Sequence, residues 1–142
     1  MYSREEAKQI RQQFWTMFGK RYDRKWLLYN TKIKDFALKF SFEHKKALVS
    51  IDITHDDELL RAYYYDKLLS LKSILKDEVS HDLIFEENYY LESGKEISRV
   101  YIQLDKVKIQ KQTDWPAVYE FFYENMDKLE HFFLDYKDFI KD

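Results

Sequence analysis

The chain has 142 residues, no cysteine, two glycines and one proline, with 45% hydrophobic and 35% charged residues. The absence of cysteine excludes disulfides, thiolate metal sites and cysteine nucleophiles, and two isolated glycines exclude the common glycine-rich phosphate loops. The net charge of −2 divides into +7 over residues 1–50 and −9 over residues 51–142, which fits either an anionic partner for the basic part or pairing of the two parts within the fold.

The first predicted element is a helix over residues 3–22. Ser3 and Glu6 have the S-x-x-E spacing of a capping box, and Ala7, Ile10, Phe14, Met17 and Phe18 recur at helical steps, with Trp15 widening the stripe. Gly19 weakens its last turn. Residues 23–35 (DRKWLLYNTKIKD) read as a basic, aromatic connector with a short extended piece, whose Trp26–Tyr29 core packs down. Residues 36–43 alternate, with Phe36, Leu38, Phe40 and Phe42 on one face, and residues 47–53 alternate again from Ala47 to Ile53. Their close spacing allows only an antiparallel hairpin. A second helix is predicted over residues 56–79, with carboxylates in its first turn and Leu60, Tyr64, Leu68, Leu71 and Leu75 on its buried face. A second hairpin follows, 83–91 and 96–105 around Gly94, with Val100, Ile102 and Leu104 inward and Arg99, Tyr101 and Gln103 outward. Residues 106–110 continue it or add a short strand. The last helix runs over residues 114–140, with Asp114 as N-cap, Pro116 in the first turn and a stripe from Val118 to Ile140. The order is α-ββ-α-ββ-α. It predicts one α+β domain over residues 1–142, an antiparallel sheet of two hairpins with three helices on one face.

Catalytic signatures are sparse. His44, His55, His81 and His131 lack metal-site spacing, and the best oxygen-rich cluster is Asp52, His55, Asp56 and Asp57 at a strand-to-helix junction. Asp35 with Glu43-His44-Lys45 matches the letters of a metal-dependent nuclease, but the two acids bracket one strand, ~27 Å apart when extended. No G-x-S-x-G elbow exists. No catalytic, cofactor or metal residue is assigned. The most informative stretch is basic and aromatic: Lys20, Arg21, Arg24, Lys25, Lys32 and Lys34 surround Trp26 and Tyr29. Such cations neutralise phosphates and such rings stack on bases, so these eight residues form a candidate anion or nucleic-acid contact. The competing reading is a solvated connector whose Trp26 and Tyr29 belong to the core.

Several segments resemble a known family. Phe14-Trp15 through Phe18-Gly19-Lys20-Arg21, then Lys25 to Thr31, and the closing Trp115-Pro116 with Tyr119, Phe121 and Phe122 are similar to the uncharacterised bacterial family called domain of unknown function 4268. The resemblance covers nearly the whole chain and its motifs are structural. Larger proteins with a similar domain often carry it after a restriction-nuclease-like region, which implies an accessory role near nucleic acid and transfers no catalytic residue here.

The expectation is therefore a small cytoplasmic, non-enzymatic binding or interaction domain. Self-association as a homodimer is expected from surplus apolar residues on the last helix, and no membrane span or cofactor is expected. The alternatives are nucleic-acid contact through residues 20–34 and, more weakly, a metal-dependent hydrolase using Asp52, His55 and Asp56.

Overall fold

The computed structural model describes residues 2–142; Met1, which the expected domain span includes, lies outside the described residues. The first helix, α1 (Arg4–Arg21), starts at the expected capping box: the Glu6 N–H donates to Ser3 Oγ at 3.1 Å and the Ser3 N–H donates to Glu6 Oε1 at 3.2 Å. Only Phe14 and Phe18 are fully buried on it. Met17, expected in the stripe, faces solvent.

Strands β1 (Phe36–Glu43), β2 (Lys46–Ile53), β3 (Ile84–Tyr90) and β4 (Glu96–Asp105) form one antiparallel sheet in the order β1-β2-β4-β3. The two hairpins join through β2 and β4, so β1 and β3 are the edges. Leu38 pairs with Ile51, and Ile51 with Val100. That row of apolar side chains faces the helices. His44 and Lys45 both have positive φ (46° and 62°), the signature of a two-residue type I′ turn made here without glycine. Residues 106–110 add no strand; Val107 instead donates its N–H to Lys45 O at 3.1 Å.

The predicted second helix is two helices, α2 (Glu58–Ser70) and α3 (Lys72–Glu78), broken at Leu71. Ser70 Oγ donates to Lys67 O at 2.7 Å, a local bond that competes with helix continuation. The buried face is also shifted from the expected one. Leu60 is 47% exposed, while Arg61, Tyr65, Leu68, Leu71 and Leu75 are buried. Arg61 turns inward because it has partners there: His55 O and Glu96 Oε1, each at 2.8 Å.

The last helix, α4 (Trp115–Lys141), buries Val118, Phe122, Met126, Leu129, Phe133 and Ile140 as expected. A 3₁₀ turn (Gln112–Asp114) leads into it, and Asp114 accepts from the Lys108 N–H rather than capping α4. Helices α2 and α4 cover one face of the sheet, and α1 packs its phenylalanines against Phe40, Phe42 and Phe122. The architecture is α+β in the expected order, with four helices.

The other face departs from expectation. Arg99 and Tyr101, on the face opposite Val100 and Ile102 as predicted, are nonetheless buried, Arg99 to 1% exposure. The cause is curvature. In a flat sheet Glu43, in register with Lys46 and Asp105, would lie ~20 Å along the strands from Arg99, beyond side-chain reach, yet Arg99 donates to Glu43 at 2.6 Å and Tyr89 of β3 donates its hydroxyl to the same carboxylate at 3.2 Å. The sheet curls until side chains from its two edges meet over Arg99.

Candidate functional site

The basic-aromatic stretch begins in the last turn of α1 with Lys20 and Arg21 and runs on to β1 without regular structure. Arg24 is committed inward. It donates to Asp127 Oδ1 at 2.6 Å and to Glu130 Oε1 at 3.4 Å, and its guanidinium lies 4.1 Å from the centre of the Trp26 ring. Glu130, mostly buried, also accepts the Leu27 N–H at 3.0 Å. Trp26 stacks on Phe18 and meets Phe40 and Tyr123 edge-on, so it is half core. Arg21 stands 3.8 Å from Glu120 on the α4 surface. These contacts are the internal pairing of basic and acidic parts.

The other members of the stretch stay outside. Lys20, Lys25, Lys32 and Lys34 are exposed and make no ion pair among the described residues. Tyr29, expected to pack down, is 83% exposed. The eight residues thus divide: Arg24 and Trp26 pack, Arg21 touches α4 weakly, and the rest face solvent.

Where the segment meets the edge of β1 it leaves an apolar groove of about 370 Å³. Trp15 and Phe18 of α1 form one wall, Trp26, Leu28 and Tyr29 another, and Ala37 to Phe40 of β1 the third. Trp15 is 37% exposed because its inner face is taken by Phe122, stacked at 5.7 Å and nearly parallel. A contiguous concave surface of aromatic and aliphatic side chains is the common form of a site for apolar groups.

The acids considered for catalysis are used elsewhere. Asp52 accepts from Arg99 Nε and Nη2, each at 2.8 Å, and from Ser50 Oγ at 2.8 Å. Glu43 accepts from Arg99 Nη1 at 2.6 Å, and the Tyr89 ring centre lies 4.4 Å from that guanidinium. Burial alone pulls the Arg99 pKa down, but Asp52 and Glu43 outweigh it and hold it above the ordinary arginine value. His55 is buried against Tyr64, with Nδ1 unpartnered, and Asp56 reaches outward to Lys95. Asp52, His55 and Asp56 therefore do not converge, and no group of three or more His, Asp or Glu among the described residues is placed to hold a metal ion.

The sequence matches the family described as Domain of unknown function (DUF4268) over residues 10–137. The chain belongs to that family. Neither the curated proteins nor the solved structures provide a match. The matched span holds every wall of the groove and all of the Arg99 cluster in this DUF4268 domain. No helix among the described residues is long and apolar enough to cross a membrane.

Sequence reasoning missed the groove and the Arg99 cluster. The signals for the groove were Trp15, an extra aromatic beside a narrower stripe, and Trp26 and Tyr29 of the basic-aromatic stretch, whose spacing pointed to a stacking contact rather than to an apolar concavity. Arg99 and Asp52 gave none, because their meeting depends on the register between β2 and β4.

Proposed function

We propose that this DUF4268 domain is a non-enzymatic binding module whose site is the groove along the β1 edge. One observation carries the reading: Trp15, Trp26, Leu28, Tyr29 and Phe40 converge on one open apolar concavity in a chain that buries or half-buries most of its other aromatics. Association of an apolar group there would remove that surface from water, at ~25 cal/mol per Å². The test is an NMR titration of the ¹⁵N-labelled protein with indole. Shifts are expected at the Trp15 and Trp26 indoles and at the Phe40 amide, and Tyr29→Ala is expected to weaken them. Shifts confined to other surfaces, or no shift at millimolar indole, would overturn the reading.

A second reading rests on the four exposed lysines, Lys20, Lys25, Lys32 and Lys34, with Tyr29 among them. They supply the charge and an unstacked ring for a nucleic-acid strand. Salt-dependent binding of an oligothymidine, lost in Lys25→Glu with Lys32→Glu, is the expected result. Absence of binding at low salt counts decisively against it.

Self-association has less behind it than the α4 sequence suggests. Phe121, Tyr123 and Tyr136 are half-buried by neighbouring elements, which leaves Leu134 and Phe139 as the large exposed apolar residues of that helix.

A further inference from the structure

We infer that the free edge of β1 takes an acidic, extended segment of a partner protein as an added strand, with Phe40 and Phe42 supplying the backbone hydrogen bonds. The inference rests on the groove reading above and names the occupant of that site.

Register fixes which backbone groups are free. The two-residue turn at His44 and Lys45 makes Glu43 and Lys46 a hydrogen-bonded pair, so odd-numbered β1 residues bond to β2 and even-numbered ones point away. Two contacts bear this out: Leu38 donates its N–H outward to Leu28 O at 3.0 Å, and Phe36 O accepts from Thr31 Oγ1 at 2.7 Å. That cover stops at Leu38. Phe40 and Phe42 make no backbone bond outside the sheet among the described residues. Their N–H and C=O groups form a short open edge, with room for an added strand of four or five residues, ~17 Å.

The two edges of the sheet differ. β3 is interrupted by a register shift between Glu86 and Tyr89 and carries two carboxylates, devices that discourage pairing. β1 is regular over all eight residues.

Charge selects the partner. The apolar groove continues past Trp15 into a more polar hollow of about 660 Å³. Arg11, Lys39, Lys45 and Lys108 line the two. Of the acids there, Glu43 is held by Arg99 at 2.6 Å, and Glu92, exposed beside His44 at 3.4 Å, leaves the four cations in excess. Free positive charge along an open edge favours an acidic strand and opposes two-fold pairing of β1 with a second copy, which would bring like charges together. The pleat adds a pattern. Phe40 and Phe42 lie on the helix side of the sheet and Lys39 on the other, so the incoming strand would alternate: apolar side chains toward Trp15 and Trp26, carboxylates toward Lys39.

The test selects binders of the full chain from a displayed library of random sixteen-residue peptides and follows amide hydrogen exchange with the enriched peptide. The expected enrichment alternates apolar and acidic residues. The bound peptide is expected to slow exchange at Phe40 and Phe42 by ~10-fold or more, since those amides open freely without it. Arg11→Glu with Lys39→Glu, both exposed positions, is expected to weaken it by at least ~10-fold with unchanged circular dichroism. Peptides that shift Trp15 and Trp26 but leave Phe40 and Phe42 exchange unchanged would refute strand addition and spare the groove. Enrichment of basic sequences, or none while indole still binds, would refute the acidic partner. Equal protection of the two amides by an oligothymidine would overturn the inference in favour of a nucleic acid.

Discussion

Asp52→Asn tests whether the cluster around Arg99 is what holds the curled sheet together. The substitution keeps the shape of the side chain and removes its charge. Of its two charge-assisted bonds at 2.8 Å, Arg99 then loses one outright, because the new amide NH2 cannot accept, and the charge of the other, and it keeps Glu43 and the Tyr89 ring. A guanidinium that is 1% exposed has no water to turn to. Breaking one partner of a buried pair costs about 3–5 kcal/mol, and Glu43 as a remaining carboxylate places this case at the lower end. Against a total stability of about 5–15 kcal/mol for such a domain, that is a large fraction. Equilibrium urea unfolding reads it as a lower midpoint. The companion Arg99→Met leaves Asp52 and Glu43 together without their cation and is expected to cost at least as much. The double variant should cost clearly less than the sum, with a coupling of about 2 kcal/mol. Additive losses, or an Asp52→Asn cost under about 1 kcal/mol, would show that the pair is not a buried ionic unit and that the curl has another cause.

Gly19 sits inside α1, and a Cβ added there would meet nothing within 4 Å, so Gly19→Ala is expected to stabilise by about 0.5–1 kcal/mol in thermal unfolding. Lys45 has φ 62° in the β1–β2 turn, and Lys45→Gly is expected to raise stability by up to about 1 kcal/mol, read the same way. Burial pushes the Tyr119 hydroxyl up to about 12, and burial with Glu86 raises Tyr101 further. Both folded values lie above the unfolded one near ~10, so this stability is whole below pH ~10 and is lost as pH rises through the folded values. Unfolding free energy should therefore fall between pH ~10 and ~12, and more gently in Tyr119→Phe, which lacks one of the titrating groups. An unchanged slope in that variant would exclude the role given to Tyr119.

Elements of period two and period three-to-four were legible wherever one face is buried against a single partner layer. β1 and α4 are the clearest cases: Phe36 to Phe42, and Val118 to Ile140, face where their spacing put them. Legibility failed where burial comes from both sides. Arg99 and Asp52 alternate like solvent-facing residues, and only the curl of the sheet, a property of four strands together, encloses them. It failed again on α2, where Arg61 rather than Leu60 turns inward, because a buried arginine needs His55 O and Glu96, partners outside any local window. The candidate site was half legible. Residues 20–34 stand out in the sequence for charge and aromatics, yet which cations remain free depends on Asp127 and Glu130, about a hundred positions away.

The charge split of the sequence has two parts with different consequences. One part is spent inside the fold, where Arg24 reaches Asp127 and Glu130 and ties the segment before β1 to α4. The other part faces solvent: Arg11, Lys39, Lys45 and Lys108 along the groove and the adjoining hollow, and the lysines of residues 20–34. Salt acts on these parts unequally, because exposed charges are screened over ~8–10 Å while partly buried pairs are screened much less. Raising salt should therefore weaken capture of an acidic strand far more than it weakens the fold. A binding loss between low and moderate salt, with an unchanged urea midpoint over the same range, is the expected pattern. Parallel losses in both would mean that the outward cations also hold the fold, and the division drawn between Arg24 and the β1 rim would fail.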